Sequence, residues 1–118
     1  MIYVANSFSI QMLLPDTFNH AEFYPVSVDK VKAQLAENGS FVNAIGHADT
    51  ARIVGSQIGV DDLQPNRINV QLCGGDILYV CQVCGGRLPE GCTELPDGIT
   101  LKWFEVRITL TGKIPSGH

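Results

Sequence analysis

The chain has 118 residues, 45% of them hydrophobic and 17% charged, with a formal charge of −4. This describes one globular domain with a single modest core and excludes a disordered chain. No apolar run approaches the roughly 20 residues that span a bilayer, and an acidic domain is poorly suited to gripping long DNA or RNA, whose affinity comes from many phosphate contacts. A small nucleotide held by one or two arginines is not excluded, and Arg52, Arg67, Arg87 and Arg107 are the candidates for bidentate phosphate contacts.

The N-terminus, Met1-Ile2-Tyr3-Val4-Ala5, has no basic region before it and reads as a strand rather than a signal peptide, so a cytosolic location is expected. Residues 2–6 form the predicted first strand. Ser7-Phe8-Ser9 then breaks the pattern, and residues 10–14 fit a short helical turn stopped by Pro15. Asparagine and hydroxyl residues just after a strand commonly contact ligands in α/β sheets. Ser7 and Ser9 suit the capping of the turn equally well.

Residues 21–26 make a second strand, and Pro25 places it at an edge or a strand end. Ser27 caps a predicted helix over 28–37, with Val28, Val31 and Leu35 on one face and Asn38-Gly39 closing it. Lys30, Lys32, Gln34 and Glu37 form its solvated face.

Ala44-Ile45-Gly46-His47-Ala48-Asp49-Thr50-Ala51 reads as the end of an apolar segment followed by the first turn of an amphipathic helix. That helix runs to about Ile58 and is closed by Gly59. A histidine at a helix start lies beside unpaired backbone N–H groups, where a phosphate can bind. Ala51, Val54 and Ile58 continue a stripe from His47, which predicts a histidine facing the sheet. A hydrogen-bonded core histidine and a catalyst both fit that position. Thr50 offers a hydroxyl at the same helix end.

Residues 61–66 are a polar connector. Residues 67–72 then read as a strand, Cys73-Gly74-Gly75-Asp76 as a tight turn and residues 77–83 as its antiparallel partner. Residues 77–81 are apolar on both faces, which predicts a central strand, and Gln82 is the first long polar side chain at its end. Residues 85–98 form a long loop carrying Arg87-Leu88-Pro89-Glu90. Residues 101–110 make a last strand, with Trp103 and Glu105 on one face and Phe104, Val106 and Ile108 on the other. The domain is expected to span 1–110, with 111–118 a disordered tail.

Four cysteines, Cys73, Cys81, Cys84 and Cys92, are the full set. Cys81-Gln82-Val83-Cys84 has the form of a zinc knuckle, but Cys73 and Cys92 each lie several residues from any other cysteine, where a tetrahedral site takes a second close pair. Buried thiols acting as small hydrophobes are the competing account. Walker, Rossmann, Gly-x-Ser-x-Gly and His-Glu-x-x-His patterns are absent. What remains is His47 at a helix start, Arg87 and Glu90 on one loop, and Ser9 after the first strand. A general acid, a guanidinium and an orienting carboxylate suffice to cleave RNA without a metal, through attack of the 2′-hydroxyl on the adjacent phosphorus.

Five stretches, taken together, are similar to a known family: Tyr3-Val4-Ala5-Asn6-Ser7-Phe8-Ser9, Ile45-Gly46-His47-Ala48-Asp49-Thr50-Ala51, Asn66-Arg67, Asp76-Ile77-Leu78-Tyr79-Val80 and Arg87-Leu88-Pro89-Glu90-Gly91. In this order and at these intervals they resemble, over nearly the full chain, a small family of archaeal viruses, phages and bacteria. It includes the viral type III anti-CRISPR ring nucleases and their cellular relatives. The resemblance implies cleavage of cyclic tetra-adenylate into linear di-adenylates by a homodimer with no cofactor and no metal. It implies that His47 is catalytic, that Arg87 and Glu90 are its active-site partners, and that Ser9 lies near the reacting phosphate. Asn6, Thr50, Arg67 and Gln82 would contact the ring. The cysteines depart from the family pattern. Fold and function are therefore expected as an α/β domain with a mixed, mostly antiparallel sheet of about five strands flanked by helices, acting as a ring nuclease. A silent sensor of the same cyclic nucleotide and a zinc-stabilised interaction module are the alternatives.

Overall fold

A computed structural model describes residues 1–115. Its elements are β1 (Ile2–Ala5), a 3-10 turn (Ile10–Met12), β2 (Thr17–Val26), α1 (Val28–Asn38), β3 (Val42–Ala44), α2 (Ala48–Ile58), β4 (Ile77–Cys84) and β5 (Thr100–Lys113). The strands form one five-stranded mixed sheet in the order β2-β5-β4-β1-β3. β1 runs parallel to both β3 and β4, with Val4 opposite Asn43 on one side and Tyr79 on the other. β5 runs antiparallel to β4 and β2, and these two ladders hold most of the paired residues.

The two faces of the sheet are covered differently. Both helices pack on the first face, where Val31 and Leu35 of α1 and Ala51, Val54 and Ile58 of α2 meet Val4, Tyr79, Cys81 and Trp103. α1 starts where Ser27 Oγ accepts the N–H of Lys30 at 3.2 Å, and both helices end at glycine caps, Gly39 and Gly59. Alternate strand residues Leu78, Val80, Val106 and Ile108 point to the second face. Among the described residues no α-helix covers that face. Phe8, Met12 and Leu13 from the 3-10 turn region and Val70 and Leu72 from an irregular segment close it.

One charged group sits in this apolar frame. Glu105 is 3% exposed, and its two oxygens accept hydrogen bonds from the Tyr79 hydroxyl (2.9 Å) and from Arg107 Nε (2.7 Å). Burial works to raise the Glu105 pKa, but the Arg107 and Tyr79 hydrogen bonds outweigh it and hold the carboxyl below its ordinary range. Burial, then the bond to Glu105, pushes the Tyr79 hydroxyl up.

Several expectations need correction. Residues 67–72 are not a strand, and no hairpin joins them to β4. Both hydrogen-bonding edges of β4 are taken, by β1 and β5, so this segment lies across the second face instead. Its alternation survives there: Val70 and Leu72 are buried while Ile68 is 43% exposed. Gly74-Gly75 does turn the chain, with Asp76 N–H donating to the Cys73 carbonyl and Asp76 Oδ2 accepting from Cys73 N–H. The fifth strand is β3, three residues at the sheet edge beside β1. β2 begins at Thr17 rather than Ala21. β5 runs to Lys113, opposite Thr17, so Thr111 to Lys113 are strand and not tail; residues 116–118 lie outside the described residues. Among the described residues no helix is long and apolar enough to cross a membrane.

Candidate functional site

The carboxyl ends of β1, β3 and β4 point the same way, and a wide cleft of about 1220 Å³ opens there. Ligands in open α/β sheets bind outside the carboxyl ends of parallel strands, and this volume exceeds the ~300–1,000 Å³ typical of pockets for drug-sized molecules.

Each wall comes from a different segment. Asn6 follows β1 directly, and its Oδ1 accepts the Gly46 N–H at 3.3 Å, tying the end of β1 to the approach to α2. Arg67 Nε donates to the Gly46 carbonyl at 3.2 Å. A Cβ at Gly46 would stand 3.1 Å from Arg67 Cγ, so only glycine leaves the guanidinium arm undisturbed. Gln82 reaches in from β4, Thr50 from the first turn of α2, and Arg87 and Glu90 from the 85–99 loop.

His47 is the N-cap of α2. Its backbone is extended (φ −107°, ψ 126°), and its carbonyl accepts from Ala51 N–H at 2.9 Å. Its side chain makes no capping hydrogen bond and is exposed on the cleft wall. The expectation that His47 faces the sheet is therefore wrong. A cap residue lies outside the helical dihedrals, so the 100° step that places Ala51, Val54 and Ile58 on the buried stripe does not extend back to it. The buried stripe begins at Thr50 and Ala51.

Seven of the eight residues singled out from sequence line this one cleft: Asn6, His47, Thr50, Arg67, Gln82, Arg87 and Glu90. Ser9 does not. Its hydroxyl accepts the Gln11 N–H at 3.3 Å and caps the 3-10 turn, which is the alternative its position allowed. Of the four arginines, Arg52, Arg67 and Arg87 line the cleft, and Arg107 is paired with Glu105. Three guanidiniums against the carboxylates of Asp49 and Glu90 make the cleft a basic concavity in an acidic chain, a setting that favours a compact anion.

Asp49 was missed. Its Oδ1 accepts the Gly91 N–H at 3.1 Å and Arg52 Nη1 at 3.0 Å, and the Gly91 bond, with Arg52 and the nearby His47 adding, holds its carboxyl below the ordinary range against the opposing effect of burial. An acid in a first helical turn with an arginine three residues on is a visible signal, but it reads as helix stabilisation.

All four cysteines are free. Cys81 is buried at the cleft floor, where desolvation and then Cys84 push its thiol up to about 12. Cys73 is exposed, far from the knuckle in the chain. Among the described residues no three His, Cys, Asp or Glu side chains stand close enough together to hold a metal.

A mixed five-stranded sheet with a basic, histidine-bearing cleft at its parallel carboxyl ends defines the chain as a small α/β protein. Its family is settled by comparison: the chain belongs to the STIV B116-like family, whose model matches residues 2–100. Among solved structures it is similar to B116 of Sulfolobus turreted icosahedral virus, with a TM-score of 0.68 and 28% identity over 90% of this chain and 97% of that one. A comparison with curated proteins gave no match.

Proposed function

We propose that the chain is a metal-independent ring nuclease that binds cyclic tetra-adenylate and cuts it into linear di-adenylates, switching off type III CRISPR signalling. The observation that carries this reading is the convergence of His47, Arg87 and Glu90, from segments some forty residues apart in sequence, on one cleft that Arg52 and Arg67 also line. Its family membership and its likeness to a viral protein agree with it.

The chemistry follows from the side chains. The substrate's 2′-hydroxyl, giving up its proton to water, attacks its adjacent phosphorus, the P–O5′ bond breaks, and a 2′,3′-cyclic phosphate forms. An imidazole suits protonation of the departing 5′ oxygen near neutral pH, and exposed His47 has no hydrogen bond that competes for the ring as a helix cap. Arg87 offsets the charge that builds on the non-bridging oxygens. Glu90, three residues on, orients the guanidinium or the attacking hydroxyl. Asn6, Thr50, Arg67 and Gln82 hold the ring. A four-nucleotide ring contains a two-fold axis, so a two-fold dimer presents one His47 to each of two opposite phosphates, and two cuts give identical halves.

The test is incubation of the protein with cyclic tetra-adenylate in excess EDTA. Conversion to di-adenylates that is lost in His47→Ala supports the reading. Tight binding without products converts it to a sensor of the same ligand. Neither binding nor products, together with stoichiometric zinc, would leave an interaction module.

A further inference from the structure

The loop that carries Arg87 and Glu90 spans residues 85–99 without helix or strand. A segment of this length does not hold two side chains in place unaided, because each ordered residue costs conformational entropy. At its base, Gly85 passes against the Gly98 carbonyl. Near its tip, the Gly91 N–H donates to Asp49 Oδ1 at 3.1 Å and the Cys92 carbonyl accepts from Arg52 Nη1 at 3.1 Å. Asp49 and Arg52 also bond to each other at 3.0 Å, with side-chain exposures of 14% and 44%. The three bonds form a closed set between the first turns of α2 and the backbone immediately after Glu90.

A carboxylate on the wall of an anion-binding cleft is otherwise a liability, since it repels the ligand. Asp49 is tolerable there because its charge is directed at an arginine and a backbone N–H. We infer that Asp49 and Arg52 are positioning residues for the proposed cleavage, latching the 85–99 loop to the helix that carries His47 so that Arg87 and Glu90 are held on the cleft wall. This rests on the ring-nuclease reading for its catalytic consequence and on the geometry alone for the latch. An acid at a helix start also interacts favourably with the helix dipole; that role by itself predicts a small loss of stability and no effect specific to the loop.

The experiment compares Asp49→Ala, Asp49→Asn and Arg52→Ala with the unchanged protein. Single-turnover cleavage of cyclic tetra-adenylate and amide hydrogen exchange of residues 86–94 are both measured. Asp49→Ala lowers cleavage by at least about tenfold, because the groups it holds act only when aligned. Asp49→Asn, which keeps an oxygen acceptor for Gly91, recovers most of that loss. In an Arg87→Ala background Asp49→Ala costs less than threefold further, as expected when one residue acts through the other. Exchange in 86–94 quickens in Asp49→Ala while the interior amides of β4 are unchanged. Cleavage within twofold of the unchanged protein, or a full multiplicative loss on top of Arg87→Ala, overturns the positioning role. Should the unchanged protein leave cyclic tetra-adenylate intact, the proposed function fails, and the latch then stands on faster exchange in Asp49→Ala or falls on unchanged exchange.

Discussion

A single methyl group at the base of the 85–99 loop tests how the fold supports the site. Gly85 has φ +96°, and a Cβ built there would lie 2.1 Å from the Gly98 carbonyl oxygen, where real Cβ atoms keep at least 3.0 Å. Gly85→Ala therefore adds two costs. The left-handed backbone costs about 1–3 kcal/mol for a residue with a side chain. Forcing the two strands of the loop base apart by about 0.9 Å costs about 1–3 kcal/mol more if they stay packed. Because the far partner is backbone, no rotamer change relieves the overlap. Either the crossing holds and the protein loses at least about 2 kcal/mol, roughly 8 °C for a chain of this size, or the loop gives way and carries Arg87 and Glu90 out of position. Stability and the proposed cleavage cannot both survive. The assay is a pair of measurements on one preparation, thermal unfolding and cleavage of cyclic tetra-adenylate. Gly75→Ala serves as the control, with φ +89° and open space around its Cβ. It pays the backbone term alone and leaves the cleft intact. A Gly85→Ala protein melting within 2 °C of the original and cleaving within twofold would refute the reasoning.

Three further predictions concern the core and the thiols. Tyr79→Phe removes a hydrogen bond to a buried carboxylate and is expected to cost about 1.5–3 kcal/mol in urea unfolding at pH 7. Since the folded protein holds Glu105 below its ordinary pKa, the group contributes full stability above the unfolded value near ~4.3 and loses it as pH falls through the folded value. Glu105→Gln should flatten that acid limb below about pH 5, and an unchanged slope would show that the Tyr79–Glu105–Arg107 set contributes nothing there. Alkylation followed by mass spectrometry should modify exposed Cys73 first and leave Cys81, buried with its thiol pushed up to about 12, unreacted until the chain unfolds; early labelling of Cys81 would contradict its burial.

What the sequence made legible, and what it did not, divides along local and non-local lines. α1 and α2 were readable to within a residue because caps and stripe are local: Ser27, Gly39, Gly59 and the apolar spacing lie within each helix. β4 was recognisable as central because a strand buried on both faces is apolar at every position. The 67–72 segment failed for a non-local reason. Its alternation faithfully reports one buried side, but alternation does not say whether the backbone bonds to a sheet or merely lies on one, and β1 had already taken the free edge of β4. β3 was missed because three residues are too few to show a period. In the site, the family resemblance, with residue types that agree with it, named seven of the cleft-lining side chains, while His47 was turned the wrong way by extending a helical period one residue too far. Ser9 was ambiguous between cap and ligand contact; it caps the 3-10 turn and is not among the residues that line the cleft. Asp49 looked like ordinary helix chemistry because its partners, Gly91 and Cys92, are some forty residues away.

The irregular cover of the second face also ties two properties that are usually separable. Residues 66–72 carry Arg67 into the cleft and, three and five positions on, Val70 and Leu72 into the core. The segment has no sheet ladder of its own; it is anchored by Asn66 N–H on the Ile45 carbonyl and Leu72 N–H on the Met12 carbonyl. A ligand held by Arg67 would therefore bear on the same segment that closes the second face. Occupancy and folding would then draw on the same short strap of chain, and any ligand bound only by the folded protein would raise its melting temperature with concentration.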